Sequence, residues 1–142
     1  MKNTTLVLVT LIISLFAIPQ SLFAGEGHKH GSSDHSSMNM DSDDAVKTMA
    51  NIMMHLNHFP SSSDKKVLEK ITKNSQSKHE RTIAQTMMNL QHKASSSDKV
   101  KLKEIMNDAS ATDHEKALAQ IVHDLSHQPS RNDKHKLQAM ID

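Results

Sequence analysis

The chain has 142 residues with 17 basic and 16 acidic side chains, a formal net charge of +1, and no cysteine, tryptophan or tyrosine. The lack of cysteine excludes disulfides, thiolate metal sites and thiol nucleophiles. Near-balanced charge and only three phenylalanines leave neither the basic stripe nor the stacking platform of a nucleic-acid site.

Residues 1–24 have the pattern of an export signal. Lys2 precedes an apolar run from Leu6 to Ile18, Pro19 ends it, and Ser21-Leu22-Phe23-Ala24 offers a small residue for cleavage. The run falls short of the roughly 20 apolar residues that a membrane span needs. A cleaved signal peptide is therefore predicted, and with it a periplasmic or secreted protein with no membrane attachment afterwards. Loss of Lys2 leaves 16 basic against 16 acidic side chains, and Phe59 as the remaining aromatic residue.

Residues 25–43 are predicted to be a disordered tail. All three glycines lie here, among serine, aspartate and histidine, with too little apolar surface to offset the entropy of ordering. The tail carries His28, His30 and His35, then Met38 and Met40. In an extended chain residues i and i+2 can wrap one ion; thioethers with imidazoles suit Cu(I) or its mimic Ag(I), whereas imidazoles with carboxylates could take Cu(II), Ni(II) or Zn(II). The stretch His35-Ser-Ser-Met38-Asn-Met40 resembles the sparse Met/His motifs of periplasmic copper- and silver-handling proteins. That resemblance implies a copper ion as ligand.

From residue 44 to the end no glycine occurs, and the sequence repeats. Leu56, Leu90 and Leu125 align at spacings of 34 and 35 residues, together with whole segments around them. A period of this length marks a supersecondary unit that buries its apolar face only by stacking on its neighbours. The expected fold is all-α, with three tandem helical-hairpin repeats (44–77, 78–112 and 113–142) and about six helices. The period is that of tetratricopeptide repeats, but their Trp, Gly, Tyr and Phe positions have no counterparts here.

In the first helix of each repeat the apolar stripe runs through Met49, Ile52, Met53 and Leu56, through Ile83, Met87 and Leu90, and through Leu118, Ile121, Val122 and Leu125. The spacing i, i+3, i+4, i+7 is that of an amphipathic helix. A turn follows at 60–63, 94–97 and 129–132, after which Asp64, Asp98 and Asp133 cap or open the second helix. Asp43 or Asp44 is expected to cap the first. The short second helices bury Leu68 and Ile71, Leu102 and Ile105, Leu137 and Met140.

Four-residue spacing recurs at Met54/His58, Met88/His92 and His123/His127, and it puts both side chains of a pair on one helix face. These pairs form a candidate ladder of metal ligands. The competing expectation places His58, His92 and His127 in the last helical turn as partners of the helix dipole, with the methionines as core fillers.

Nothing assembles an enzyme. The serine runs are turn residues without a strand-turn-helix elbow, Glu69 and Glu104 sit at solvent-facing positions, and a glycine-free domain has no phosphate-cradling loop. The expected function is binding of soft metal ions, copper or silver, for buffering, delivery or resistance. The alternative is a helical scaffold that holds a periplasmic protein, with structural histidines.

Overall fold

The computed structural model describes residues 41–142, so the expected signal peptide and the candidate tail ligands His28, His30, His35, Met38 and Met40 lie outside the described residues. The described residues are all-helical. Six helices follow one another: α1 (Ser42–Met54), α2 (Ser62–Asn74), α3 (Lys78–Met88), α4 (Ser96–Asn107), α5 (Asp113–Asp124) and α6 (Arg131–Ile141). None of them is long and apolar enough to cross a membrane.

The starts of α2, α4 and α6 are written locally. Ser61, Ser95 and Ser130 are the N-caps, each accepting a hydrogen bond from the backbone N–H of the aspartate three residues on. Asp64 and Asp133 reach back to the N–H of Ser61 and Ser130 at 3.0 Å, which completes a reciprocal capping box. The three aspartates thus open the helices from their first turn, and the serines do the capping. At α1 the N-cap is Asp41 rather than Asp43 or Asp44, which stand in the first turn and complement the helix dipole there.

The first-helix stripes are buried as expected. Met49 and Met53 of α1, Ile83 and Met87 of α3, and Leu118 and Val122 of α5 are all 0% exposed. So are Ala50, Ala84 and Ala119, whose small side chains let α1, α3 and α5 approach one another. On the outer helices Leu68, Ile71, Leu102, Ile105, Leu137 and Met140 close over this core.

The pairing of helices differs from the expected hairpins. The closest partners are α2 with α3, α4 with α5, and α6 with α1, whereas α1 touches α2 only lightly. Loop length explains this. Residues 75–77 turn α3 straight back along α2, while residues 55–61 carry the chain away from α1 before α2 begins. The pairing of α6 with α1 brings the last helix onto the first. The six helices therefore close on themselves around the inner set α1, α3 and α5, and no end is left open as in a linear stack.

Polar bonds tie the inner helices at both ends. At their starts, the Ser42 hydroxyl donates to Glu80 and the Ser77 hydroxyl donates to Glu115. Past their ends, three backbone hydrogen bonds join the segments that follow. The inner helices consequently run parallel, and the loops that follow α1, α3 and α5 gather at one end of the fold.

Candidate functional site: a trio of histidines

That gathered end holds His58, His92 and His127. Each has a backbone φ in the left-handed region, 71°, 68° and 70° respectively. Phe59 N–H donates to the Asn57 carbonyl at 2.9 Å and Gln128 N–H to the Ser126 carbonyl at 3.0 Å, so the histidine is the centre of a three-residue γ-turn. Gln91 and Lys93 bridge across His92 at the same place in the second loop. The positive-φ form of this turn is rare and strained, costing about 1–3 kcal/mol where the residue has a Cβ. Glycine would adopt it freely.

The turns hold one another. His92 N–H donates to the carbonyl of His58 at 3.0 Å, His127 N–H to that of His92 at 2.7 Å, and His58 N–H to that of His127 at 3.1 Å. This closed cycle satisfies all three donors and fixes the three Cα atoms relative to one another. It also brings the imidazoles together, with ring centroids 5.1 Å apart for His58–His92, 5.5 Å for His58–His127 and 5.1 Å for His92–His127. All three residues are exposed to solvent.

The rings meet edge to face at 85° and 90°, and the third pair is tilted by 55°. In this arrangement they pack as rings. Among the described residues no three or more His, Asp or Glu side chains stand ready-assembled as a metal-holding group. The His58 Nδ1 lies 2.7 Å from Asn57 Oδ1, which can only accept, so Nδ1 carries the proton and Nε2 keeps its lone pair. The His127 Nδ1 lies 3.5 Å from the Ser126 hydroxyl.

This geometry corrects the four-residue ladder. Helices α1, α3 and α5 stop at Met54, Met88 and Asp124, so His58, His92 and His127 lie beyond them and are neither helix-face partners nor last-turn residues. Each helix has already ended three or four residues before its left-handed histidine. Met54 and Met88 pack against the hydrophobic core, and the Thr72 hydroxyl approaches the Met88 sulfur at 3.9 Å. His123 stays on α5, its Nδ1 2.7 Å from Asp124.

A second polar cluster was not singled out from the sequence. Glu80 is 0% exposed and Glu115 2%. Glu80 accepts from the hydroxyls of Ser42 and Ser75, while Glu115 accepts from the Thr112 N–H at 2.8 Å and from the Ser77 hydroxyl. His79 stands beside them, with Nε2 3.1 Å from Asp108 and Nδ1 3.6 Å from Glu115. The Ser77-x-x-Glu80 and Thr112-x-x-Glu115 patterns are the signal that could have found both carboxylates. Asp108 is held down at about 2 by the backbone N–H and hydroxyl of Ser110 and by His79.

Burial pushes the Glu80 carboxyl above its ordinary 4.5, with Glu115 and Asp41 adding to the rise and the hydroxyls of Ser42 and Ser75 opposing it. The folded protein therefore binds this proton more tightly than the unfolded chain does. The resulting stability is fully present below 4.5 and is lost as pH rises through the folded value. Glu80→Gln cannot ionise, so its stability relative to wild type should increase as pH rises from 4.5 towards neutrality. Urea unfolding of both proteins across that range checks this, and a pH-independent difference would contradict it.

No family model matches the chain, and neither do curated proteins or solved structures.

Proposed function

We propose that this chain is an exported, non-catalytic protein of three tandem helical repeats that binds transition-metal ions, copper foremost, for buffering, delivery or resistance. The observation that carries the reading is the meeting of His58, His92 and His127 within 5.5 Å of one another. A residue that occurs once per repeat becomes a trio when the repeats close around one axis. Glycine would relieve the strain in all three turns, yet each carries an imidazole, and the three rings meet on one exposed surface. Neutral imidazole is a common ligand of first-row metals, and the tail donors His28, His30, His35, Met38 and Met40 add softer capacity.

Equilibrium dialysis against Cu(I) under anaerobic conditions and against Cu(II) in air, followed by elemental analysis, tests this. At least one copper should be retained per chain. Replacing the three trio histidines with asparagine should lower Cu(II) uptake, and deleting residues 25–43 reveals the share of the tail. Acidification should release the ion held by imidazole, because a protonated ring cannot ligate. A chain that retains no transition-metal ion at micromolar concentration overturns the reading.

The scaffold alternative has one observation in its favour. Val100 is 60% exposed beside an open groove of about 460 Å³ that Lys103, Glu104, Asn107 and Asp108 also line. Ring closure weighs against it, because the inner helices fill with side chains the space that an open stack would leave as a concave binding surface.

A further inference from the structure

The trio contains three imidazoles and no softer donor. Met54 and Met88 are engaged with the core, and His123 is engaged with Asp124. Sets of imidazoles alone suit Zn(II), Cu(II), Ni(II) and Co(II), whereas Cu(I) and Ag(I) are selected by thioethers and thiolates. We infer that His58, His92 and His127 form a facial three-imidazole site for one divalent first-row ion of the Zn(II) class, bound through Nε2, with the remaining coordination positions open to solvent. The inference rests on the metal-binding reading above and narrows the ion at this site. Silver or Cu(I) is left to the Met/His tail.

Spacing supports it. Three imidazoles on one tetrahedral ion through bonds of ~2.0–2.1 Å have ring centroids roughly 5 Å apart. The trio shows 5.1, 5.1 and 5.5 Å, so the rings already stand at the mutual spacing such a site needs. What remains is to turn the rings out of their edge-to-face contact until the nitrogens converge. Exposed side chains make such turns on the ps–ns timescale, while the cycle of N–H···O=C bonds keeps the Cα atoms in place. Asn57 engages Nδ1 of His58 and so leaves Nε2 as the ligating atom, the usual role of an outer partner of a metal-binding histidine. The rings face solvent, which supplies the entry path and the open positions.

Each ring comes from a different loop: residues 55–61, 89–95 and 125–130. One ion therefore ties the start of the chain to its end across the α6–α1 closure. Because the three ligands meet only in the folded state, loading should raise the melting temperature.

The test uses Co(II) as a spectroscopic probe on the full chain, with Zn(II) as competitor and Ag(I) as the soft comparison. Wild type should bind one Co(II) with visible d–d bands of a four- or five-coordinate ion, and Zn(II) should displace it. The variant carrying His58→Asn, His92→Asn and His127→Asn should lose this site, with at least a hundredfold loss of affinity, and should also lose the Zn(II)-dependent rise in melting temperature. Asparagine tolerates positive φ and so preserves the turns. His114→Ala and His135→Ala, which remove exposed histidines elsewhere, should change nothing. Ag(I) uptake should be the same in wild type and in the triple variant. Nitrogen-15 imidazole spectra of wild type give a readout independent of any variant: one equivalent of Zn(II) should shift Nε2 of exactly these three histidines together. Divalent binding that survives the triple substitution, or shifts at other histidines, overturns the inference while the metal-binding reading survives elsewhere in the chain. Loss of Ag(I) alone in the triple variant overturns the ion class and keeps the function. A chain that takes up no ion overturns both.

Discussion

Truncation after Pro129, which removes α6, should abolish the cooperative fold and not merely shorten it. Helix α6 is the partner of α1, as α2 is of α3 and α4 of α5. Without it Leu137 and Met140 leave the core, each worth about 1.5–3 kcal/mol of burial. The face of α1 that they cover is exposed as well. The combined loss approaches the whole stability of a typical small domain, about 5–15 kcal/mol. Far-ultraviolet circular dichroism with urea unfolding should show a large fall in helix content and no cooperative transition at room temperature. In a linear stack, loss of a terminal helix would leave the distant end nearly intact. A truncated chain that keeps the wild-type urea midpoint would therefore show that closure contributes nothing.

Leu118→Ala should be strongly destabilising, as for any large side chain buried among the inner helices. The side chain is 0% exposed on α5, which contacts both α1 and α3, so the surrounding helices can collapse into the vacated space only in part. Lost transfer energy and the remaining cavity together should cost about 2–5 kcal/mol. His114→Ala, an exposed position on the same helix, should stay within about 0.5 kcal/mol of wild type. Urea midpoints of the two variants, measured side by side, check both values. A Leu118→Ala cost below about 1 kcal/mol would mean that the inner helices are loosely packed.

The candidate site was legible in part. The four-residue spacing drew attention to His58, His92 and His127, but for a helix face that does not exist. The same three residues meet for a different reason, a left-handed turn after each inner helix. Histidine at the turn centre is a weaker local signal of positive φ than glycine or asparagine, so the apolar stripe alone extends each helix about one turn too far. Glu80 and Glu115 were missed because a glutamate near a helix start reads as solvated. Their burial depends on Ser42 and Ser77, both distant in sequence from the carboxylate they satisfy.

What the sequence determined by itself was everything set by neighbours along the chain. The apolar stripes of α1, α3 and α5 follow from a period of 3.6 residues per turn, and the starts of α2, α4 and α6 from a serine followed three residues later by an aspartate. The absence of glycine after residue 31 left the helices uninterrupted. Only the tertiary structure decided that α6 returns to α1, that α2 pairs with α3 more closely than with α1, and that three histidines from distant loops share one surface. These outcomes depend on the angle through which each short connection turns the chain and on whether those angles sum to a full circle. Local propensity is blind to that sum, because the energy that selects it comes from burying the first and last helices against each other.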